Sequence, residues 1–328
     1  VAIDPSPDAL GWRTLLVAAT TEETADIKTF DLVDPAGAML PGFTAGAHID
    51  VEAAPHLIRQ YSLMNNPAER HRYRIGVLKD ATSRGGSVAM HAIGPGALLR
   101  IAGPRNHFEL ASGSHPAILL AGGIGITPLL AMAHRLHHTG QAFTLHYCAR
   151  SPAHAAFLDD LKHIDFTANV LTHFDNGPDA QRLDLPAVIS GAPPDVHIYV
   201  CGPGGFMAWC IETLAGAGIA ESRIHREYFK APTITTAPPA ATFEVQLSSS
   251  GAVIAIPADR SILDVLRDHG IQIPASCKTG VCGTCLTGLV SGTADHRDIY
   301  LSKEERAAND VILPCCSRAK SSRLVLDL

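Results

Sequence analysis

Three cysteines in the stretch CKTGVCGTC, Cys277, Cys282 and Cys285, are followed after 29 residues by Cys315 in ILPCC. C-x4-C-x2-C…C is the ligand spacing of a plant-type [2Fe–2S] centre. Such a centre takes two thiolates on each iron, so four sulfurs must reach one small volume, and it moves electrons one at a time. Gly280 and Gly283 suit that task, because glycine reaches positive φ and lets a loop turn its N–H groups toward sulfur. Structural zinc sites use paired short Cys spacings, and only one short pair exists here. Disulfides do not suit a chain that reads as cytoplasmic. Cys316 competes with Cys315 as fourth ligand; the 29-residue gap favours Cys315, with Cys316 expected to turn away as a packed thiol.

A one-electron centre needs a source of electrons, and four strings upstream have the chemistry to supply it. In Arg59-Gln60-Tyr61-Ser62, the Arg suits bidentate pairing with phosphate. The Tyr suits stacking on an isoalloxazine ring, and the Ser hydroxyl suits hydrogen bonding at the flavin N5 edge. Arg84-Gly85-Gly86-Ser87 precedes VAMHAI and reads as a Gly-rich loop opening a short helix, a phosphate-binding arrangement. Gly122-Gly123-Ile124-Gly125-Ile126-Thr127-Pro128 joins a strand to a helix. Its glycines let a pyrophosphate approach the backbone. Thr127 is expected as N-cap and Pro128 as first helical residue. Cys201-Gly202-Pro203 ends another strand, at the end where open α/β sheets bind ligands. Each string alone has a structural explanation: a core tyrosine beside a salt bridge, a capped helix, a buried small cysteine. Together they point to a flavin and a pyridine nucleotide.

The elements that position these groups fall into three blocks. The chain has 328 residues, 46% hydrophobic and 18% charged, which suits two or three globular domains. Its net charge of −6 disfavours nucleic acid or an anionic membrane as partner. VAIDPSPDAL has neither a basic nor an apolar leader region, and the longest apolar run, 117–133, is interrupted by glycines and a proline. A cytoplasmic protein without a membrane span is expected. His134, His137 and His138 are expected on a solvated helix face rather than on a metal.

Residues 1–111 carry short β runs (TFDLVDP, HIDVEA, YRIGVLKD, ALLRIAG) broken by Gly and Pro, the pattern of an antiparallel β-barrel. Residues 112–231 alternate strand and helix, from AILLA and LLAMAHRLHHTG to VHIYVCG and GGFMAWCIETLAGAG, which implies an α/β domain with a parallel sheet. Residues 232–241 are a Pro-, Thr- and Ala-rich linker of semi-rigid type. Residues 242–328 read as a small α+β unit. FEVQL and AVIAI form a hairpin, Ser261 caps a helix, Ser302 and Glu305 form a capping box, and RLVLDL closes as a strand.

The order RQYS, RGGS, GGIGITP, CGP and cysteine loop spans nearly the whole chain. It resembles the ferredoxin–NADP reductase superfamily and, more closely, the phthalate dioxygenase reductase family; the C-terminal block resembles the β-grasp fold of plant-type ferredoxins. The resemblance implies FMN rather than FAD, a choice that RGGS alone leaves open. It implies Arg59 and Ser87 on the phosphate, Tyr61 against the ring and Ser62 near N5. It further implies Val77 and Lys79 on a strand lining the flavin, Cys201 near the nicotinamide C4, and Phe229 of REYFKA against the flavin. Arg150-Ser151, at the end of FTLHYCA, suits either a 2′-phosphate or the ribose hydroxyls; the family implies NADH.

The implied activity runs from NADH to flavin, then one electron at a time through a cluster near about −400 mV, to a Rieske oxygenase component acting on an aromatic acid or similar compound. The family implies a monomer. Competing readings are a stand-alone NAD(P)H flavin reductase or oxidase, the reductase of another monooxygenase, and a redox sensor, which has no use for a hydride donor. From residue 242 onward there are 9 Lys+Arg and 10 Asp+Glu. Partner docking is therefore expected to rest on an apolar rim including Val281 and Leu286 rather than on net charge.

Overall fold

A computed structural model describes residues 11–55, 57–83, 85–178, 181–230, 241–275 and 277–328. The chain divides into two units, Val1–Tyr228 and Phe229–Leu328. Arg84 and nearly all of the expected linker lie outside the described residues.

The first unit begins with six strands: β1 (Trp12–Glu22), β2 (Ile27–Val33), β3 (His48–Ala54), β4 (Leu57–Ser62), β5 (Tyr73–Leu78) and β6 (Leu98–Arg105). They pair antiparallel in the order β4-β3-β6-β1-β2-β5. The two edge strands meet through a single bridge, Leu63 to Ile75, which curls the sheet into a barrel. Alternate residues point inward, as a pleated strand requires. Leu15 and Val17, Phe30 and Leu32, Ile49 and Val51, and Ile75 and Val77 all enter one core. Each such fully buried side chain contributes about 1.5–3 kcal/mol. A short helix, α1 (Gly86–His91), adds Met90 to that core.

The same unit continues as β7 (Ala117–Gly122), α2 (Ile126–His138), β8 (Phe143–Ala149), α3 (Leu158–His163), β9 (Val170–Phe174), α4 (Leu185–Ser190), β10 (His197–Cys201), α5 (Gly204–Gly216) and β11 (Ile224–Glu227). The five strands are parallel in the order β11-β10-β7-β8-β9. Strand β7 is buried along its whole length, as a central strand covered on both faces must be. Leu119 and Ala121 pack on the α2 face, whereas Ile118 and Leu120 pack on the α5 face. Strand order reverses between β7 and β10, and the C-terminal ends at such a reversal are where α/β sheets hold ligands. Gly122 and Cys201 stand at those two ends.

The second unit comprises β12 (Phe243–Leu247), β13 (Val253–Ile256), α6 (Ile262–Asp268), β14 (Thr287–Ser291), β15 (Ala294–Asp295), α7 (Lys303–Ala308), β16 (Val311–Ile312), β17 (Arg318–Ala319) and β18 (Arg323–Leu326). Its main sheet runs β13-β12-β18-β14-β16, with β15 and β17 as a separate ribbon. Ser261 Oγ accepts from Asp264 N at 3.0 Å, and Ser302 and Glu305 form the reciprocal capping box. No helix among the described residues is long and apolar enough to cross a membrane.

Two local expectations need correction. Helix α2 starts at Ile126 with Gly125 as N-cap, so Pro128 is its third residue rather than its first. Thr127 does not cap; its hydroxyl donates to Ile124 O at 3.0 Å. The histidine face of α2 is also not uniformly solvated. His134 is half-buried with its ring edge-on to Phe166 at 5.1 Å, and His137 lies 5.5 Å from the same ring. Phe166 sits in the α2 core and draws the nearer imidazoles onto it.

Candidate cofactor sites

The four motif cysteines converge. Cys277 lies close enough to Cys282 and Cys315, and Cys285 to Cys315, for the neighbouring thiols to shift one another's titration. Cys282, Cys285 and Cys315 are buried, and the last two belong to the core of the second unit. The loop that brings them together needs left-handed backbone at Gly280 (φ 75°) and Gly283 (φ 69°). A Cβ at Gly283 would fall within 2.2 Å of Tyr300. The backbone N–H groups of Thr279 and Val281 point to Cys277 Sγ at 3.4 and 3.5 Å. Hydrogen bonds from the Cys282 and Cys315 thiols, reinforced by those two amides, pull Cys277 toward the thiolate. A set of four convergent thiols with amide donors fits a [2Fe–2S] cluster. Cys316 is the packed thiol expected, but it lies against the loop rather than away from it: a Cβ at Gly280 would meet its Sγ at 2.4 Å. It is a half-buried thiol packed under the loop, 3.9 Å from Leu313 O.

In the barrel, Arg59, Gln60, Tyr61 and Ser62 are consecutive residues of β4. Arg59 Nη1 donates to Ile58 O at 2.8 Å, and Gln60 Nε2 lies 3.2 Å from His48 Nε2. The Arg59 side chain passes over α1: a Cβ at Gly86 would stand 2.6 Å from its Cγ and Nε. RQYS and the GGS portion of the second string therefore meet, with Gly85 at φ 90° turning the chain into α1. Ser87 Oγ accepts from Asp80 N at 3.1 Å, which ties the helix to the end of β5. Tyr61 packs on the barrel core, and burial raises its phenol so that it stays neutral. An arginine lying across a glycine-lined helix start, beside a neutral aromatic ring, fits a flavin phosphate and ring. Val77 points into the barrel core and its carbonyl meets His91 Nε2 at 2.9 Å, while Lys79 is exposed beyond the strand.

At the sheet switch point the two nucleotide strings lock together. A Cβ at Gly125 would fall 2.3 Å from Cys201 O, and one at Gly202 would fall 3.0 Å from Gly122 Cα. Gly123, at φ 52°, has open space above it, as a backbone that must admit a pyrophosphate requires. Pro203 is exposed, and Arg150 is exposed at the end of β8. Ser151 Oγ lies 2.7 Å from His154 Nδ1. Phe229 is exposed and belongs to the second unit.

Two residues escaped the sequence reading. Glu227, at the end of β11, accepts a hydrogen bond from Ser62 Oγ at 3.3 Å. Burial pushes its carboxyl up to about 8, so it keeps its proton at neutral pH. Burial, with the Glu227 charge as a lesser cause, also raises Cys201 well above the usual thiol range. Ser62, Cys201 and Glu227 thus form one neutral group where the barrel meets the parallel sheet. Phe206 of α5 is the second: its ring lies 2.8 Å from the Cβ positions of both Gly122 and Gly202. The sequence held no local signal for Glu227, which ends the polar strand IHRE, and nothing local joined it to Ser62.

Comparison with known proteins agrees with this geometry. Residues 245–320 match the model of the 2Fe-2S iron-sulfur cluster binding domain. A vanillate O-demethylase oxidoreductase from Pseudomonas sp. strain HR199 is 48% identical over 315 residues, 96% of this chain and 99% of the relative. The phthalate dioxygenase reductase of Burkholderia cepacia is 41% identical over 325 residues, 98% of this chain and 99% of the relative. The chain belongs to the phthalate dioxygenase reductase family. It is an oxidoreductase. A solved phthalate dioxygenase reductase, described as a modular structure for electron transfer from pyridine nucleotides to [2Fe–2S], matches with a TM-score of 0.73 and 41% identity, covering 98% of this chain and 100% of that one. An intact type IV self-sufficient cytochrome P450 monooxygenase matches with a TM-score of 0.86 and 35% identity over 100% of this chain. This chain spans 43% of that longer protein.

Proposed function

We propose that the chain is the reductase component of an oxygenase system, carrying electrons from NADH through FMN and a [2Fe–2S] cluster to a Rieske-type oxygenase component that oxidises an aromatic acid. Residues 1–111 bind FMN, 112–231 bind NADH, 232–241 link, and 242–328 carry the cluster. FMN supplies the change from a two-electron to a one-electron carrier; the protein supplies orientation, charge and exclusion of water. Arg59 and Arg84, with Gly85, Gly86 and Ser87, hold the flavin phosphate, and Gln60 and Tyr61 line the ring. The GGIGITP and CGP turns hold the coenzyme, and Arg150 and Ser151 its ribose. Ser62 holds its hydroxyl toward the reacting edge, and the neutral Glu227 and Cys201 place no negative charge beside it. Cys277, Cys282, Cys285 and Cys315 ligate the cluster.

The observation that carries this reading is the meeting of Ser62, from the barrel, with Cys201 and Glu227, from the sheet, at the sheet's ligand-binding edge. Eight unpaired cysteines suit a single chain working in the cytoplasm. The match to a self-sufficient P450 supports a second reading, in which the oxygenase served is a P450-type monooxygenase. Extraction of the bound flavin and comparison of NADH with NADPH test the proposal. One FMN per chain and a higher kcat/KM for NADH are expected; bound FAD, or preference for NADPH, would contradict it.

A further inference from the structure

Phe157, just before α3, is buried and holds φ at 65°. Bulky residues rarely adopt the left-handed region, and where one persists its surroundings hold it there. The holding group comes from the barrel. Glu23, in the turn between β1 and β2, accepts the Phe157 N–H through Oε2 at 3.3 Å. Its other oxygen faces Arg74 Nη2 at 3.5 Å and accepts from Thr29 Oγ1 at 3.4 Å. Arg74, on β5, also donates to Asp160 Oδ2 on α3 at 2.8 Å. Two barrel side chains therefore grip the first turn of α3 and the residue before it.

The Phe157 ring in turn seats the coenzyme loop. A Cβ at Gly76 on β5 would stand 3.1 Å from Phe157 Cζ, 3.0 Å from Thr127 Cγ2 and 3.3 Å from Ile124 Cδ1. The bare backbone at Gly76 is thus where the GGIGITP turn and the Phe157 ring rest on the barrel. Gly76 is two strand positions from Arg74. One strand carries both the grip on α3 and the seat for the nucleotide turn.

We propose that Glu23 is a positioning residue for hydride transfer: by holding Phe157 in its left-handed turn it sets how the nucleotide lobe sits on β5, and so the spacing of nicotinamide and flavin. The inference rests on the reading that the barrel holds flavin and the GGIGITP turn holds NADH. Among the described residues, no hydrogen bond or ion pair joins Glu23 to the coenzyme turn or to the expected flavin-binding residues, so its effect falls on alignment rather than on affinity. A displacement of about 1 Å at a reacting pair is worth ~100-fold in rate.

Anaerobic stopped-flow reduction of the holoprotein by NADH separates the limiting rate from the apparent Kd. Glu23→Ala is expected to lower the limiting rate about 10-fold or more while the apparent Kd moves less than about 3-fold. Glu23→Gln keeps a carbonyl oxygen for the Phe157 N–H and is expected to recover most of the rate. Phe157→Gly tolerates the same backbone but removes the seated ring; it is expected to slow reduction as Glu23→Ala does, and it carries the test if Glu23→Ala loses its flavin. An unchanged limiting rate in either variant, or a loss expressed wholly in Kd, would overturn the proposal. Failure of the underlying reading is distinct: the wild-type protein would then lack flavin or fail to be bleached by NADH.

Discussion

The cysteine loop and the proposed flavin–nicotinamide cleft are two candidate redox sites in one chain, built on different principles. The loop offers four atoms of one kind, and three of them come from CKTGVCGTC. The cleft is assembled from shape. Gly76, Gly86, Gly125 and Gly202 each lie where a Cβ would strike a neighbour from elsewhere in the chain, and its polar centre joins Ser62 to Glu227 across 165 residues. Covalent ligation fixes residue type and spacing, whereas cofactor cradling fixes where the backbone can approach. The first leaves letters in the sequence; the second leaves mainly absences of side chain.

The comparison can be broken at either site. The largest effect is expected from Cys315→Ser, which removes one of the four proposed ligands: the cluster's EPR signal should vanish while NADH–ferricyanide activity through the flavin persists. Cys316→Ala should keep the cluster, and a full cluster in Cys315→Ser with Cys316 intact would reassign the ligand. Next is Gly125→Val, which drives a side chain into Cys201 O and separates the two coenzyme turns. Flavin reduction by NADH should fall ~100-fold in stopped flow, with dithionite still reducing the cluster.

A smaller, pH-dependent effect is expected from Glu227→Gln. The folded carboxyl keeps its proton up to about 8, against an ordinary value of 4.5. A raised carboxyl stabilises the fold fully below 4.5 and loses that contribution as pH climbs toward 8. Thermal unfolding of Glu227→Gln should therefore match the wild type near pH 4.5 and exceed it increasingly up to pH 8, with a constant gap above. A parallel pair of curves would rule out the protonated carboxyl. The smallest effect is expected from Val281→Asp on the half-buried rim of the cluster loop. Electron delivery to the oxygenase component should slow several-fold with ferricyanide activity unchanged; loss of both activities would place Val281 in the fold rather than the docking rim.

Much of this is legible in the sequence. The strands FTLHYCA and FEVQL run over the same residues in the structure, because FEVQL alternates apolar and polar residues and FTLHYCA is a short run with aromatic and β-branched residues. The capping box at Ser302 and Glu305 was readable because both partners lie within one turn. Long-range features were not. The start of α2 was misplaced because Thr127 and Pro128 look like start signals, yet Gly125 must sit against Cys201, and that contact sets the turn. The orientation of Cys316 depends on the close approach of Gly280, which no spacing reveals. Glu227 and Phe206 enter the cleft only once β10, β11 and α5 are laid beside β7. The left-handed turn at Phe157 has no sequence signal at all, since glycine or asparagine would be the expected residue there.

The central claim is that one chain connects a pyridine nucleotide to an iron–sulfur cluster through a flavin. EPR of the purified protein after anaerobic addition of NADH tests it most directly. A rhombic signal from the reduced [2Fe–2S] cluster is predicted on NADH alone. A cluster signal that appears with dithionite but not with NADH would contradict the account.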